Sequence, residues 1–248
     1  MDAALLTLLT ELRRRILWIL GGWLAAFIPA LAFKEGILEW VLAPALEPLG
    51  RAGRTLIVIA PAELLWSYIQ ASLLVGFLVS LPWTMHQISI GLAPLLGARS
   101  TRNVWVLAVV ATALFLTGIA FGYRLAFPPI FDFFLSLESE SVISRWTTGA
   151  VLGFLIRLSL GFGLGFELPV VMTCLTTAGV VSPERWARWR RPAILVAFVA
   201  AGVLTPSPDV ISQLSLAVPL IALYELGVRV CAWLRPTVPR ASLTTPTP

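Results

Sequence analysis

From Gly149 to Thr177 the sequence runs through apolar residues with only two charged side chains, Arg157 and Glu167. A helix over that stretch exceeds the roughly 20 residues that cross a hydrocarbon core. It also places the carboxylate of Glu167, inside Gly161–Pro169 (GFGLGFELP), where a charge costs several kcal/mol. Glu167 must therefore face protein or a water-filled cavity, either as a functional group or as a neutral, hydrogen-bonded structural one. Arg157 lies about 15 Å away along the axis and about 80° around it, so the two do not pair within their own helix.

Other runs of the same kind make this an integral membrane protein. The chain is 58% hydrophobic, and its 12% charged content is about half the norm for soluble domains. No long polar stretch separates the runs, so a single membrane domain over 1–235 is expected, with a disordered tail over 236–248 rich in Pro and Thr. The first run follows Arg13, Arg14 and Arg15 and is too long for a signal-peptide core, so it reads as a retained span. Cys174 and Cys231 have no metal-ligand spacing and His86 is the only histidine, so no metal and no cofactor are expected. The net charge of +5 reflects membrane topology rather than nucleic-acid binding.

Six spans are expected, at about 16–33, 63–93, 103–127, 149–177, 192–205 and 209–230. Pro44, Pro48, Gly50 and Gly53 act as breakers in the segment 34–61, which has room for short surface helices. Pro82 is the kink site of the long second span, and Pro128-Pro129 ends the third. Gly118/Gly122, Gly149/Gly153 and Gly161/Gly165 share a spacing that lets helices approach closely, and read as packing. The fifth span is about 21 Å long, short of a 30 Å core, so it either thins the bilayer or lies half-buried on its neighbours. Basic residues concentrate at the N-terminus, in 94–102, in 179–191 and at the C-terminal end, which places both termini in the cytoplasm.

Taken together, several segments resemble TatC, the multispanning receptor of the twin-arginine protein translocase. They are Glu11-Leu12-Arg13-Arg14-Arg15, Leu42-Ala43-Pro44, Gln87 with Ala93-Pro94-Leu95, Phe127-Pro128, Gly163–Pro169, Ser182-Pro183 leading to Arg190-Arg191-Pro192, and Leu204-Thr205-Pro206 through Asp209-Val210 to Ser212-Gln213. The ordered set covers about residues 5–230. The resemblance implies an all-α, concave, glove-like bundle of six transmembrane helices in a bacterial or archaeal cytoplasmic membrane. It further implies signal-peptide binding by Glu11, Arg13 and Gln87, an intramembrane role for Glu167, and docking of single-span TatA/TatB-like subunits at Thr205 and Gln213. The function it implies is export of folded proteins on the proton gradient, within a homo-oligomeric receptor complex in contact with membrane lipids, without covalent chemistry.

The chain departs from the family pattern where the signal peptide is expected. Ser100-Thr101-Arg102 replaces the usual Glu-Arg-Arg, so a second acidic contact is missing, and Leu8, Ser89 and Gly91 stand where His and aromatic residues are usual. Glu11 also has a plain alternative, an i,i+4 pair with Arg15, and Gln213 has one in an intramolecular bond. The competing function is a proton-coupled secondary transporter that uses Glu167 and Arg157 as a relay. An intramembrane enzyme lacks its motifs: HExxH, GxSxG and a pair of membrane aspartates are all absent from the sequence.

Overall fold

The computed structural model describes residues 3–94, 96, 101–138, 145–205 and 210–234. The expected tail, Ser100 and Asp209 lie outside them. The described chain is helical: α1 Ala3–Ala32, α2 Lys34–Arg51, α3 Pro61–Leu92, α4 Thr101–Phe121, a π-turn Gly122–Ala126, α5 Phe127–Ser136, α6 Thr148–Phe166, α7 Leu168–Thr177, α8 Pro183–Arg188, α9 Arg190–Leu204 and α10 Val210–Trp233. Among the described residues, five segments are long and apolar enough to cross a membrane: 10–32, 61–92, 101–136, 148–177 and 212–233. The fifth expected span, 192–205, corresponds to α9, which has 15 residues.

Neighbouring long helices run antiparallel. Trp18 and Trp23 of α1 meet Trp83 and Phe77 of α3, and His86 of α3 stacks on Trp105 of α4. One end of the bundle thus gathers the start of α1, the end of α3 and the start of α4, together with α8, the start of α9 and the end of α10. It carries Arg13, Arg14, Arg15, Arg102, Arg185, Arg188, Arg190, Arg191 and Arg229, and we call it the basic end. The other, the cap end, holds α2, α5 and a parallel bridge between Ile57 and Thr147.

Three expectations about helix boundaries are corrected. Segment 34–61, expected to hold one or two short helices on the surface, holds a single helix, α2, which is longer than expected at 18 residues, contains Pro44 and Pro48, and buries Leu38, Val41, Leu42, Ala45 and Leu49. A proline inside a helix leaves the carbonyl four residues back without its amide partner. Here the tertiary fold supplies a replacement, since the Tyr123 hydroxyl donates to the Trp40 carbonyl that Pro44 frees. The third span does not stop at Pro128-Pro129 either. Those residues open α5 at positions where a missing N–H costs nothing, and the rod continues to Ser136. The fourth span keeps its expected bounds to within a residue, 148–177, but is two helices rather than one, interrupted at Glu167 between α6 and α7, with Pro169 in the first turn of α7.

The main core is built on α6, whose Leu152, Leu155, Leu158 and Phe162 pack among α2, α3, α5 and α10. Glycines set the closest approaches. A Cβ on Gly118 would stand 2.5 Å from the Phe162 carbonyl oxygen, and one on Gly122 would stand 3.0 Å from the Ser159 Cα, so α4 and α6 touch backbone to backbone. Gly153, by contrast, faces open space apart from the Arg157 guanidinium.

α1 packs chiefly on α3, and α9 chiefly on α10. Between them lie two apolar depressions of about 530 and 710 Å³, one walled by α1, α3 and α6 and the other by α6, α9 and α10, which share Leu164. Together they form a concave trough with α6 as its floor.

Candidate functional site

At the basic end, Glu11 is held within its own helix. Its carboxylate accepts from Arg14 at 2.9 Å and from Arg15 one turn on, so the plain i,i+4 reading of this residue is realised and extended. The stem of Arg15 lies 3.5 Å from the Cβ position of Gly91, which brings the Glu11 cluster against the last turn of α3. Gln87 sits one turn before Gly91 on the same face of α3 and is buried. Arg13 points to solvent, outside the cluster. The structure therefore gathers Glu11, Arg15 and the Gly91 turn of α3, with Gln87 one turn away, and leaves Arg13 at the margin.

Glu167 lies in a different place, beside the last turns of α3 and the first half of α4. It lines a cavity of about 210 Å³ with Met85 and Ser89 of α3, Leu107 and Ala111 of α4, and Cys174 of α7. Its Oε1 is buried without a hydrogen-bond partner among the described residues. The break between α6 and α7 produces this position, because the chain turns at Glu167 and the carboxyl drops between α3 and α4. Its side chain thus faces protein rather than lipid.

Arg157 is remote from this cavity. It is exposed on the face of α6 that also carries Gly161 and Leu164, on the trough floor, and it makes no ion pair among the described residues. A relay through Arg157 and Glu167 therefore has no geometric basis, and the transporter reading loses its two central residues.

In the α9–α10 hairpin, Thr205 is buried and its hydroxyl donates to the Ala201 carbonyl at 3.1 Å. The Gln213 amide donates to the Phe198 carbonyl at 3.0 Å across the hairpin. Both polar groups are thus already bonded within the chain. Arg190 and Glu225 fasten the other end of the hairpin through paired contacts of 2.9 Å.

Sequence reasoning missed two parts of this surface. Ser89 and Cys174 share the Glu167 cavity, and the signal was present as small polar residues one helical turn from Met85 and Val170 on the lining faces. Trp186 of α8 donates to Thr176 Oγ1 at 3.0 Å while its own carbonyl accepts from the Tyr224 hydroxyl at 2.7 Å, locking α8 onto α7 and α10. A six-residue helix in a basic loop offered no pattern from which to infer that lock.

Known proteins share this fold. The family model described as Sec-independent protein translocase protein (TatC) matches residues 7–219. The Escherichia coli protein of that name is 34% identical over 224 residues, covering 90% of this chain and 86% of its own. The Bacillus subtilis protein TatCd is 33% identical over 226 residues, covering 91% and 90%. A crystal structure of the twin-arginine translocase receptor TatC superposes with a TM-score of 0.81 at 30% identity, covering 91% of this chain and 98% of that one.

Proposed function

This chain belongs to the TatC family of Sec-independent protein translocase proteins, and from that premise we propose that it is the receptor of a twin-arginine translocase, taking up signal peptides of folded cargo at its basic end. The observation that carries the proposal is the Glu11 cluster. Its carboxylate already holds two guanidinium groups beside the end of α3. An incoming arginine pair can take over those positions from Arg14 and Arg15, exchanging like for like at little cost in desolvation. A carboxylate and a planar guanidinium fork form two parallel charge-assisted bonds, which a lysine ammonium cannot reproduce. Gln87 contributes an amide beside the cluster, and Arg13 offers a free guanidinium to peptide carbonyls.

In this reading the chain crosses the bilayer six times with both termini in the cytoplasm, so that the basic end meets the peptide before insertion. α9, about 22 Å long, thins the bilayer along the trough. TatA/TatB-like single-span subunits dock on the α9–α10 hairpin by exchanging hydrogen bonds with Thr205 and Gln213, in a complex that contains further copies of this chain. Glu167 serves as the intramembrane acidic group during export driven by the proton gradient.

The test is binding of a labelled twin-arginine peptide to the full chain in lipid nanodiscs. Replacing both peptide arginines with lysine should weaken binding about tenfold or more, the loss of one strong charge-assisted contact. Equal binding of the lysine peptide would overturn the proposal.

A further inference from the structure

At the cap end, between α2, α4 and α6, lies a cavity of about 700 Å³ that takes no part in the function above. Its size is that of a ligand pocket. Three separate features converge on it. The π-turn Gly122–Ala126 delivers Tyr123 and Arg124 to the wall, and turns of this rare kind concentrate at functional sites. Ser159 of α6 lines the interior, is 1% exposed, and has an Oγ with no hydrogen-bond partner among the described residues. Trp40 and Tyr123 stack at 5.8 Å beside the opening, the amphipathic aromatic pairing typical of a membrane–water boundary.

The walls combine charged, polar and apolar groups. Glu47 and Arg51 of the second half of α2, and Arg124 of the π-turn, are the charged ones. Arg51 also lies 4.0 Å from Asp132, a contact long enough to be shared, while Arg124 and Glu47 form no ion pair among the described residues. Ser159 is level with the π-turn, since a Cβ on Gly122 would touch its Cα. Farther toward the basic end the wall becomes apolar, with Leu78 and Leu116. The exposed rim of Leu116, Ala120 and Arg124 opens the cavity sideways, on the flank of a helix that crosses the membrane.

We propose that this cavity binds one aminophospholipid from the surrounding leaflet. Its phosphate meets Arg124 and Arg51, its ammonium meets Glu47, an ester carbonyl accepts from the Ser159 hydroxyl, and an acyl chain descends along Leu116 and Leu78. The charged groups, the unpartnered Ser159 hydroxyl and the apolar surface of Leu78 and Leu116 supply a counterpart for each part of such a lipid. Two cations with one carboxylate suit a head group bearing both a phosphate and an ammonium better than one bearing phosphate alone.

The test is native mass spectrometry of the full chain in detergent, titrated separately with phosphatidylethanolamine, phosphatidylglycerol and diacylglycerol. Phosphatidylethanolamine should be retained about tenfold more strongly than diacylglycerol, and Arg124→Gln should remove that advantage. Glu47→Gln should abolish the preference over phosphatidylglycerol, and Ala120→Phe, at an exposed rim position, should block the lipid while leaving the thermal midpoint unchanged. Equal retention of diacylglycerol, wild-type retention by Arg124→Gln or by Ala120→Phe, or equal retention of phosphatidylglycerol by the wild-type chain would overturn the proposal.

Discussion

Gly118 of α4 meets α6 so closely that a methyl group in place of its hydrogen would stand 2.5 Å from the carbonyl oxygen of Phe162. The obstacle is backbone, which cannot rotate aside. Gly118→Ala should therefore cost about 1–3 kcal/mol, the usual penalty of overpacking, seen as a lowered thermal midpoint in detergent. Gly153→Ala on α6, where the space is open, should leave the midpoint unchanged.

Glu11→Ala should separate recognition from stability. The pair to Arg14 is exposed and the pair to Arg15 part-buried, both within one helix, and such i,i+3 and i,i+4 pairs contribute only tenths of a kcal/mol. The thermal midpoint should hold while affinity for a twin-arginine peptide falls about tenfold or more. An unchanged peptide affinity would reduce Glu11 to a local helix stabiliser.

Trp186 is buried and joins α8 to two other helices, so its removal should be severe. Trp186→Ala should destabilise by about 3–5 kcal/mol, as large aromatic truncations do. Trp186→Phe keeps a six-membered ring but loses the bond to Thr176, whose hydroxyl still donates to Met172, and leaves a small void where the rest of the indole stood. That variant should cost about 1–2 kcal/mol. Chemical unfolding followed by tryptophan fluorescence distinguishes the two.

Glu63 ties the cap end together, accepting from the amides of Ile59 and Gly149, each at 2.9 Å. The second contact fixes the first turn of α6 to the first turn of α3. Glu63→Ala should lower the thermal midpoint and speed proteolysis near the Ile57–Thr147 bridge, while leaving peptide binding at the distant basic end intact.

Much of the architecture was legible because apolar runs and small-residue spacing report directly on helices in lipid. The glycine pairs Gly118/Gly122 and Gly161/Gly165 do mark close packing. The prolines misled. Pro44 and Pro48 read as breakers, yet the carbonyl that Pro44 leaves open is met by Tyr123, a residue far along the chain. Pro128 and Pro129 read as a terminus, yet they start a new helix whose Phe127, Ile130 and Phe131 are buried. Long-range compensation of this sort has no local signature. The candidate site was legible in its residues but not in their grouping. Glu11 lies in a cluster, Glu167 in a separate cavity, and Arg157 on the open floor, because the break at Glu167 redirects the chain after α6.

α1 rests on a single seam along α3, and the rest of its surface faces outward: of the 10–32 segment, the most apolar window is only 6% buried. Detaching such an element disturbs one contact line and leaves the others closed. A stray apolar helix of similar length, arriving from the basic end, would find half of its berth already uncovered. The bundle is thus a partly vacant socket, and the wall whose first turns carry Glu11 is held chiefly along one seam.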